Sequence, residues 1–258
     1  MLHRLADRIV LEPTRHPIAT PGKSRHLLQG QFGRVEAWVH RVNAESTDDA
    51  NLFVLKLPGA GGRAERGTDH PVEYWPDAMA EIWTINPPGY GLSSGQASMN
   101  YLPATADLAW DAIHTVADGR PILVVGTSLG GAIALYVASR HPSAGLLLRN
   151  PPPLRELIVG RFAYKTLWLG ARFVAKQVPE DLDAIANAAK CECPAVFVMS
   201  GRDRVVPPTY QQRIHEAYAG PTRITNLPDA DHADFSFEPA VRKQYAADLD
   251  WLRTQIQP

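Results

Sequence analysis

The sequence predicts an α/β protein, with a mostly parallel central sheet and helices on both faces. Three observations predict it. Short apolar runs alternate with longer stretches of helical spacing along the chain. The apolar runs are hydrophobic at successive positions, as in Leu52-Phe53-Val54-Leu55 and Ile122-Leu123-Val124-Val125. Strands covered on both faces need that pattern. Gly126-Thr127-Ser128-Leu129-Gly130 separates a strand run from a helical run. That context makes G-x-S-x-G a sharp turn that lifts a serine hydroxyl to the carboxyl end of a sheet.

The elements follow in order. Residues 1–34 carry many prolines and glycines. Val35 to Val42 alternates enough for a strand, and Asn43 to Ala50 reads as a polar loop. Asn51 to Leu57 is a strand, broken by Pro58-Gly59-Ala60-Gly61-Gly62. Glu81 to Ile85 is the next strand, ending in Asn86-Pro87-Pro88-Gly89-Tyr90-Gly91. Tyr101 to Val116 reads as an amphipathic helix, followed by the strand before Ser128 and a helix from Leu129 to Ser139. Leu146 to Asn150 is a strand stopped by three prolines, and Ala195 to Met199 is another. Pro207 to Tyr218 is a helix, Arg223 to Asn226 a short last strand, and Val241 to Arg253 a closing helix.

At 258 residues, one domain spanning 1–258 is expected. Between the strand after the serine helix and the next strand, residues 151–190 exceed what a crossover needs. They are read as a small helical lid, with Phe162, Trp168 and Phe173 facing an apolar pocket or packing the lid down. The 26 Lys+Arg and 27 Asp+Glu residues nearly cancel, leaving no basic excess for nucleic acid. Cys191 and Cys193 are too close for an easy disulfide and lack the company of a zinc site. Met1 to Asp7 has no continuous apolar core of a signal peptide, and no run suits a membrane span. A cytoplasmic location is the expectation.

A serine hydroxyl is a weak nucleophile and needs a base, itself oriented by an acid. In this class of sheet the chain order is Ser, then Asp or Glu, then His. His232 sits in the polar loop Pro228-Asp229-Ala230-Asp231-His232-Ala233-Asp234, between the last strand and the last helix, and is read as the base. His215 lies inside a helix and is read as solvent-facing. Asp203 follows the strand ending at Met199 and a tight turn, so it is read as the acid. Acyl transfer also needs amides for a developing oxyanion. Leu129 supplies one at a helix N-terminus. The loop 58–62 supplies the second, with Ala60 nominated and Gly61 as runner-up. Arg149, at a strand's carboxyl end, faces solvent or a substrate carboxylate, and His70 and Tyr74 line the entrance or pack the loop.

On these residues the chain resembles an α/β-hydrolase-fold serine hydrolase, esterase-like or peptidase-like, from about Val35 to its end. Gly-Thr-Ser-Leu-Gly-Gly, Gly-Arg-Asp-Arg-Val-Val-Pro and Asp-His-Ala-Asp carry the likeness for Ser128, Asp203 and His232. Asn86 to Gly95 resembles the family's Gly-x-Gly-x-Ser turn. The resemblance implies hydrolysis of an ester, thioester or amide in a small-molecule acyl substrate, with no cofactor or metal. Acyl transfer and ligand binding without turnover are the alternatives. Two positions depart from the pattern. Pro58 replaces the histidine before the oxyanion glycine, and Asp231 replaces the glycine before the base.

Overall fold

The computed structural model describes residues 7, 10–162, 172, 175–235 and 237–256. Within them, eight strands form one sheet in the order β1-β2-β4-β3-β5-β6-β7-β8. The strands are β1 (Ser24–Gly30), β2 (Gly33–Val42), β3 (Leu52–Leu57) and β4 (Ala80–Asn86). They continue with β5 (Ile122–Thr127), β6 (Gly145–Arg149), β7 (Ala195–Ser200) and β8 (Thr222–Leu227). β1, β2 and β4 pair antiparallel; every pairing from β4 through β3 to β8 is parallel.

The main helices are α1 (Leu102–Ala117), α2 (Leu129–Ala138) and α3 (Leu154–Phe162). α4 (Ala184–Ala188), α5 (Pro208–Ala217) and α6 (Pro239–Ile256) follow. One face of the sheet packs Phe53, Leu55, Val124, Leu148 and Phe197 against α1, α2 and α5. The opposite face packs Val54, Leu123, Val125, Leu147 and Val198 against α6. Tyr245, Leu249, Leu252 and Ile256 form α6's buried stripe, at helical spacing. Strands β3, β5, β6 and β7 thus carry apolar side chains in both directions, which is why they read as continuous hydrophobic runs.

The strand β1 lies in the proline- and glycine-rich stretch where the sequence suggested no element. Its sequence Ser-Arg-His-Leu-Leu-Gln-Gly is exposed at most positions, so neither a covered face nor strict alternation marks it. It is the antiparallel edge of the sheet. Between β6 and β7, α3 and α4 fall inside residues 151–190, while Trp168 and Phe173 lie outside the described residues.

The serine helix is pressed hard onto the sheet. A Cβ on Gly126 would stand 2.7 Å from both the Ala134 methyl and the Gly131 Cα. One on Gly130 would collide with the Leu57 carbonyl oxygen at the end of β3. Backbone cannot step aside as a flexible side chain can. Gly130→Ala is therefore expected to cost about 3 kcal/mol of stability, the upper part of the range for an overpacked core. The midpoint of urea unfolding reads it directly.

Candidate functional site

Ser128 joins β5 to α2 with φ 52° and ψ −123°, a left-handed backbone that non-glycine residues avoid. Such strain costs about 1–3 kcal/mol and persists where neighbours hold it. Here Ser128 N–H donates to the Arg149 carbonyl at 2.8 Å, and its own carbonyl accepts from Gly131 N–H at 2.7 Å.

The structure brings Ser128, His232 and Asp203 together from three loops. His232 Nε2 is 3.0 Å from Ser128 Oγ, and His232 Nδ1 is 2.6 Å from Asp203 Oδ2. With the ring proton on Nδ1, that nitrogen donates to the carboxylate and Nε2 accepts from the hydroxyl. The Asp203 side chain is fully buried, while the His232 ring keeps some solvent contact. Asp203 Oδ1 accepts from the Val205 and Val206 amides at 2.7 and 2.8 Å, and Oδ2 also accepts from Gln211 Nε2 at 3.3 Å. These bonds fix the carboxylate's orientation independently of the imidazole. His215, by contrast, is half-buried, with Nε2 3.0 Å from Thr222 Oγ1, and its ring meets Phe197 edge-on. It does not face open solvent.

Asp231 shapes the loop of His232. Its Oδ1 accepts from the Ala233 and Asp234 amides at 2.9 Å each, a side-chain turn that bends the backbone around the imidazole. Arg149 holds the same loop from below. One of its terminal nitrogens donates to the His232 carbonyl at 3.2 Å and the Asp234 carbonyl at 2.6 Å. The guanidinium also lies 4.5 Å from the Phe235 ring centroid.

In the loop after β3, Gly61 N–H donates to the Leu11 carbonyl at 2.9 Å and Gly62 N–H to the Gly59 carbonyl at 3.0 Å. Those two amides are committed. The Gly59 and Ala60 amides make no such bond among the described residues. A Cβ on Gly59 would lie 3.2 Å from the Ser128 Cβ, so this loop passes directly beside the serine. Leu129 opens α2, where the first amides have no partner inside the helix.

His70 and Tyr74 are packed into an aromatic group rather than free at a rim. His70 Nε2 hydrogen-bonds the Tyr245 hydroxyl, and its ring stacks on Tyr245 at 5.9 Å. Tyr74 meets Tyr245 edge-on at 5.4 Å. Burial, reinforced by the Lys56 and Arg149 charges, pushes the His70 pKa down to about 3, so the ring is neutral. Phe162 ends α3, but its side chain, like all of Trp168, lies outside the described residues.

Sequence reasoning missed a buried polar group that braces the loop 58–63. Arg63 pairs with Glu65 and donates to the carbonyls of Thr14 and His16 at 3.0 and 3.1 Å. Asn86 Nδ2 donates to Glu36 and Glu65 at 2.8 Å each, and Asn86 Oδ1 accepts from the Ala64 amide at 2.8 Å. The available signal was Glu36 standing inside the apolar run Val35-Glu36-Ala37-Trp38. A carboxylate there must be paired or hydrogen-bonded.

The alpha/beta hydrolase fold family model matches residues 72–182. Together with the sheet order and the serine turn, this makes the chain a protein of the α/β-hydrolase fold. It is similar to an uncharacterized protein of Mycobacterium tuberculosis, 33% identical over 149 residues, covering 57% of this chain and 50% of that one. It is 29% identical over 213 residues to an uncharacterized membrane protein of Saccharomyces cerevisiae, covering 78% of this chain and 70% of that one. The chain spans about half the length of the first of these curated relatives. Among solved structures, an esterase of Pyrococcus furiosus superposes with a TM-score of 0.68 at 15% identity, covering 95% of this chain and 97% of that one. No helix of the described residues is long and apolar enough to cross a membrane.

The two Arg149 bonds to the loop of His232 generate a test. At about 1 kcal/mol each, their loss corresponds to roughly thirtyfold easier local opening. In Arg149→Ala, hydrogen exchange should quicken by that order across residues 231–235 and stay unchanged in β3.

Proposed function

We propose that this protein is a serine hydrolase that cleaves an ester, thioester or amide bond through an acyl-enzyme. The observation that carries the proposal is the continuous hydrogen-bonded path from Ser128 Oγ through both nitrogens of His232 to Asp203. A pure ligand-binding pocket has no physical need for that path.

In the proposed reaction Ser128 Oγ attacks the substrate carbonyl carbon while His232 Nε2 takes the hydroxyl proton. Asp203 stabilises the imidazolium that forms and keeps its ring in the productive orientation. The carbonyl oxygen becomes an oxyanion. The Leu129 amide and the Ala60 amide donate to it, in a place where the helix N-terminus already favours negative charge. The imidazolium then gives its proton to the departing alcohol, thiol or amine, and the carbon–leaving-group bond breaks. Water attacks the acyl-serine by the same route in reverse: His232 takes a water proton and returns it to Ser128 Oγ. The chemistry asks for no metal or organic cofactor. Ser128 in the nucleophile position also separates the protein from relatives that use an aspartate there.

A fluorophosphonate probe tests the proposal. It should label the protein stoichiometrically at Ser128 and not label a folded Ser128→Ala variant. With a p-nitrophenyl ester that the wild type hydrolyses, Ser128→Ala and His232→Ala should each lower kcat by roughly 10⁴ to 10⁶-fold with little change in stability. Asp203→Asn should lower it by about 10⁴-fold. Near-full activity in His232→Ala would remove the assigned base.

A further inference from the structure

Three neighbouring strands end in polar side chains on one face of the sheet. β3 ends in Val54-Leu55-Lys56, β5 in Val125-Gly126-Thr127 and β6 in Leu147-Leu148-Arg149. Lys56 pairs in register with Val125, and Thr127 with Arg149. Val54, Val125 and Leu147 all face α6. Side chains two residues apart share a face, so Lys56, Thr127 and Arg149 extend that face at its carboxyl edge. β5 lies between β3 and β6, so the two cations flank the residue that precedes Ser128.

The space they enclose is a cavity of about 340 Å³, lined by Lys56, His70, Thr127, Arg149, Phe235 and Tyr245 among others. That is at the small end of ligand sites. Carboxylates act on its two cations without touching them: Glu73 and Asp69 on Lys56, and Asp234, Asp203 and Asp231 on Arg149. Among the described residues Lys56 Nζ donates to neutral oxygens: the Thr68 and His70 carbonyls at 2.8 and 2.9 Å and the Thr68 hydroxyl at 3.3 Å. Arg149 likewise donates to carbonyls, and its Nε is buried with no partner. Neither cation has an ion pair among the described residues. Glu73 is the one carboxylate on the lining, and it is exposed. His70 is neutral. Burial, with Lys23 nearby, lowers the Lys56 pKa to about 8, which leaves the ammonium mostly charged at neutral pH. Holding two cations with no carboxylate in contact around a half-enclosed space is costly, and an anion entering it would offset part of that cost.

We propose that this cavity is an anion subsite beside the serine, where Lys56 and Arg149 bind a carboxylate or phosphate group. The group is carried on the acyl substrate or supplied as a free anion. The substrate-borne form rests on the hydrolase reading and narrows it: the preferred substrate is an acyl compound with a second, negatively charged end. The free-anion form does not depend on turnover. Because Arg149 also tethers the loop of His232, an anion seated here meets the base loop and the substrate pocket through one guanidinium.

Two measurements test it. The first compares mono-p-nitrophenyl glutarate with p-nitrophenyl valerate, equal in chain length and different in terminal charge. The wild type should favour the glutarate in kcat/KM by about tenfold or more, as charge-assisted hydrogen bonds allow. That ratio should collapse towards one in Lys56→Met and persist in Lys56→Arg. The second is calorimetric titration of Ser128→Ala with inorganic phosphate, which needs no turnover. Saturable phosphate binding that Lys56→Met abolishes, with an ester ratio near one, assigns the site to a free anion. A high ester ratio without phosphate binding assigns it to the substrate. If neither ester is turned over, fluorophosphonate labelling of Ser128 reports on the hydrolase reading and the titration alone decides the cavity. Absence of phosphate binding, with no ester preference, overturns the proposal.

Discussion

The site depends on one backbone constraint, the left-handed conformation of Ser128. A residue with a Cβ sits there only because the elements around it leave no alternative. Gly130 lets α2 approach the end of β3 to the point where no side chain fits between them. The Ser128 amide is tied to the carbonyl of Arg149 at the end of β6. The turn is therefore clamped between the strands on both sides of β5. Relaxing it would mean parting α2 from the sheet and exposing the apolar side chains, Leu129 and Ala132 to Val137, that it buries on that face. The strain at one residue is thus held by packing spread over many.

Arg149 connects that clamp to the rest of the site. Its backbone carbonyl receives the Ser128 amide, and its guanidinium reaches the carbonyls of His232 and Asp234. Ser128 and the loop of His232 are therefore registered against a single residue. Hydrogen bonds from a rigid strand end are a firmer reference than loop-to-loop contacts. Asp231 adds local curvature to the same loop by accepting two amides. The Asp231 carboxylate thus acts on backbone shape; its Oδ1 is engaged by amides next to the imidazole.

Much of the fold was legible because strands buried on both faces advertise themselves. β3, β5, β6 and β7 show as unbroken apolar runs, and the glycine-flanked serine marks where one of them ends. The strand β1 did not show, because an exposed antiparallel edge strand needs no apolar pattern and is held by backbone pairing with β2. For the site, residue type and chain order pointed to Ser128, Asp203 and His232, and the structure places the three within hydrogen-bonding distance. What sequence could not supply was non-local hydrogen bonding. His215 looked solvent-facing on helical position alone, yet the side chain is engaged by Thr222 across the turn to β8. The group Glu36, Arg63, Glu65 and Asn86 comes from three separate segments and carries no motif.

The same limit applies to the loop after β3, where the sequence nominates Ala60 with Gly61 as runner-up but cannot show which amide is free. The deciding residue lies some fifty positions upstream. The Leu11 carbonyl accepts both the Gly61 amide and the Tyr90 hydroxyl, and the Thr14 carbonyl accepts both the Gly91 amide and Arg63. Residues 11–14 therefore act as a row of acceptors laid against two glycine-rich turns. Each amide they engage is withdrawn from any other partner, because an N–H makes one good bond at a time. The Gly61 amide, satisfied by Leu11, would have to break that bond to meet another acceptor, whereas the Ala60 amide has no backbone partner among the described residues. A segment without a motif of its own thus engages the Gly61 amide beside the serine.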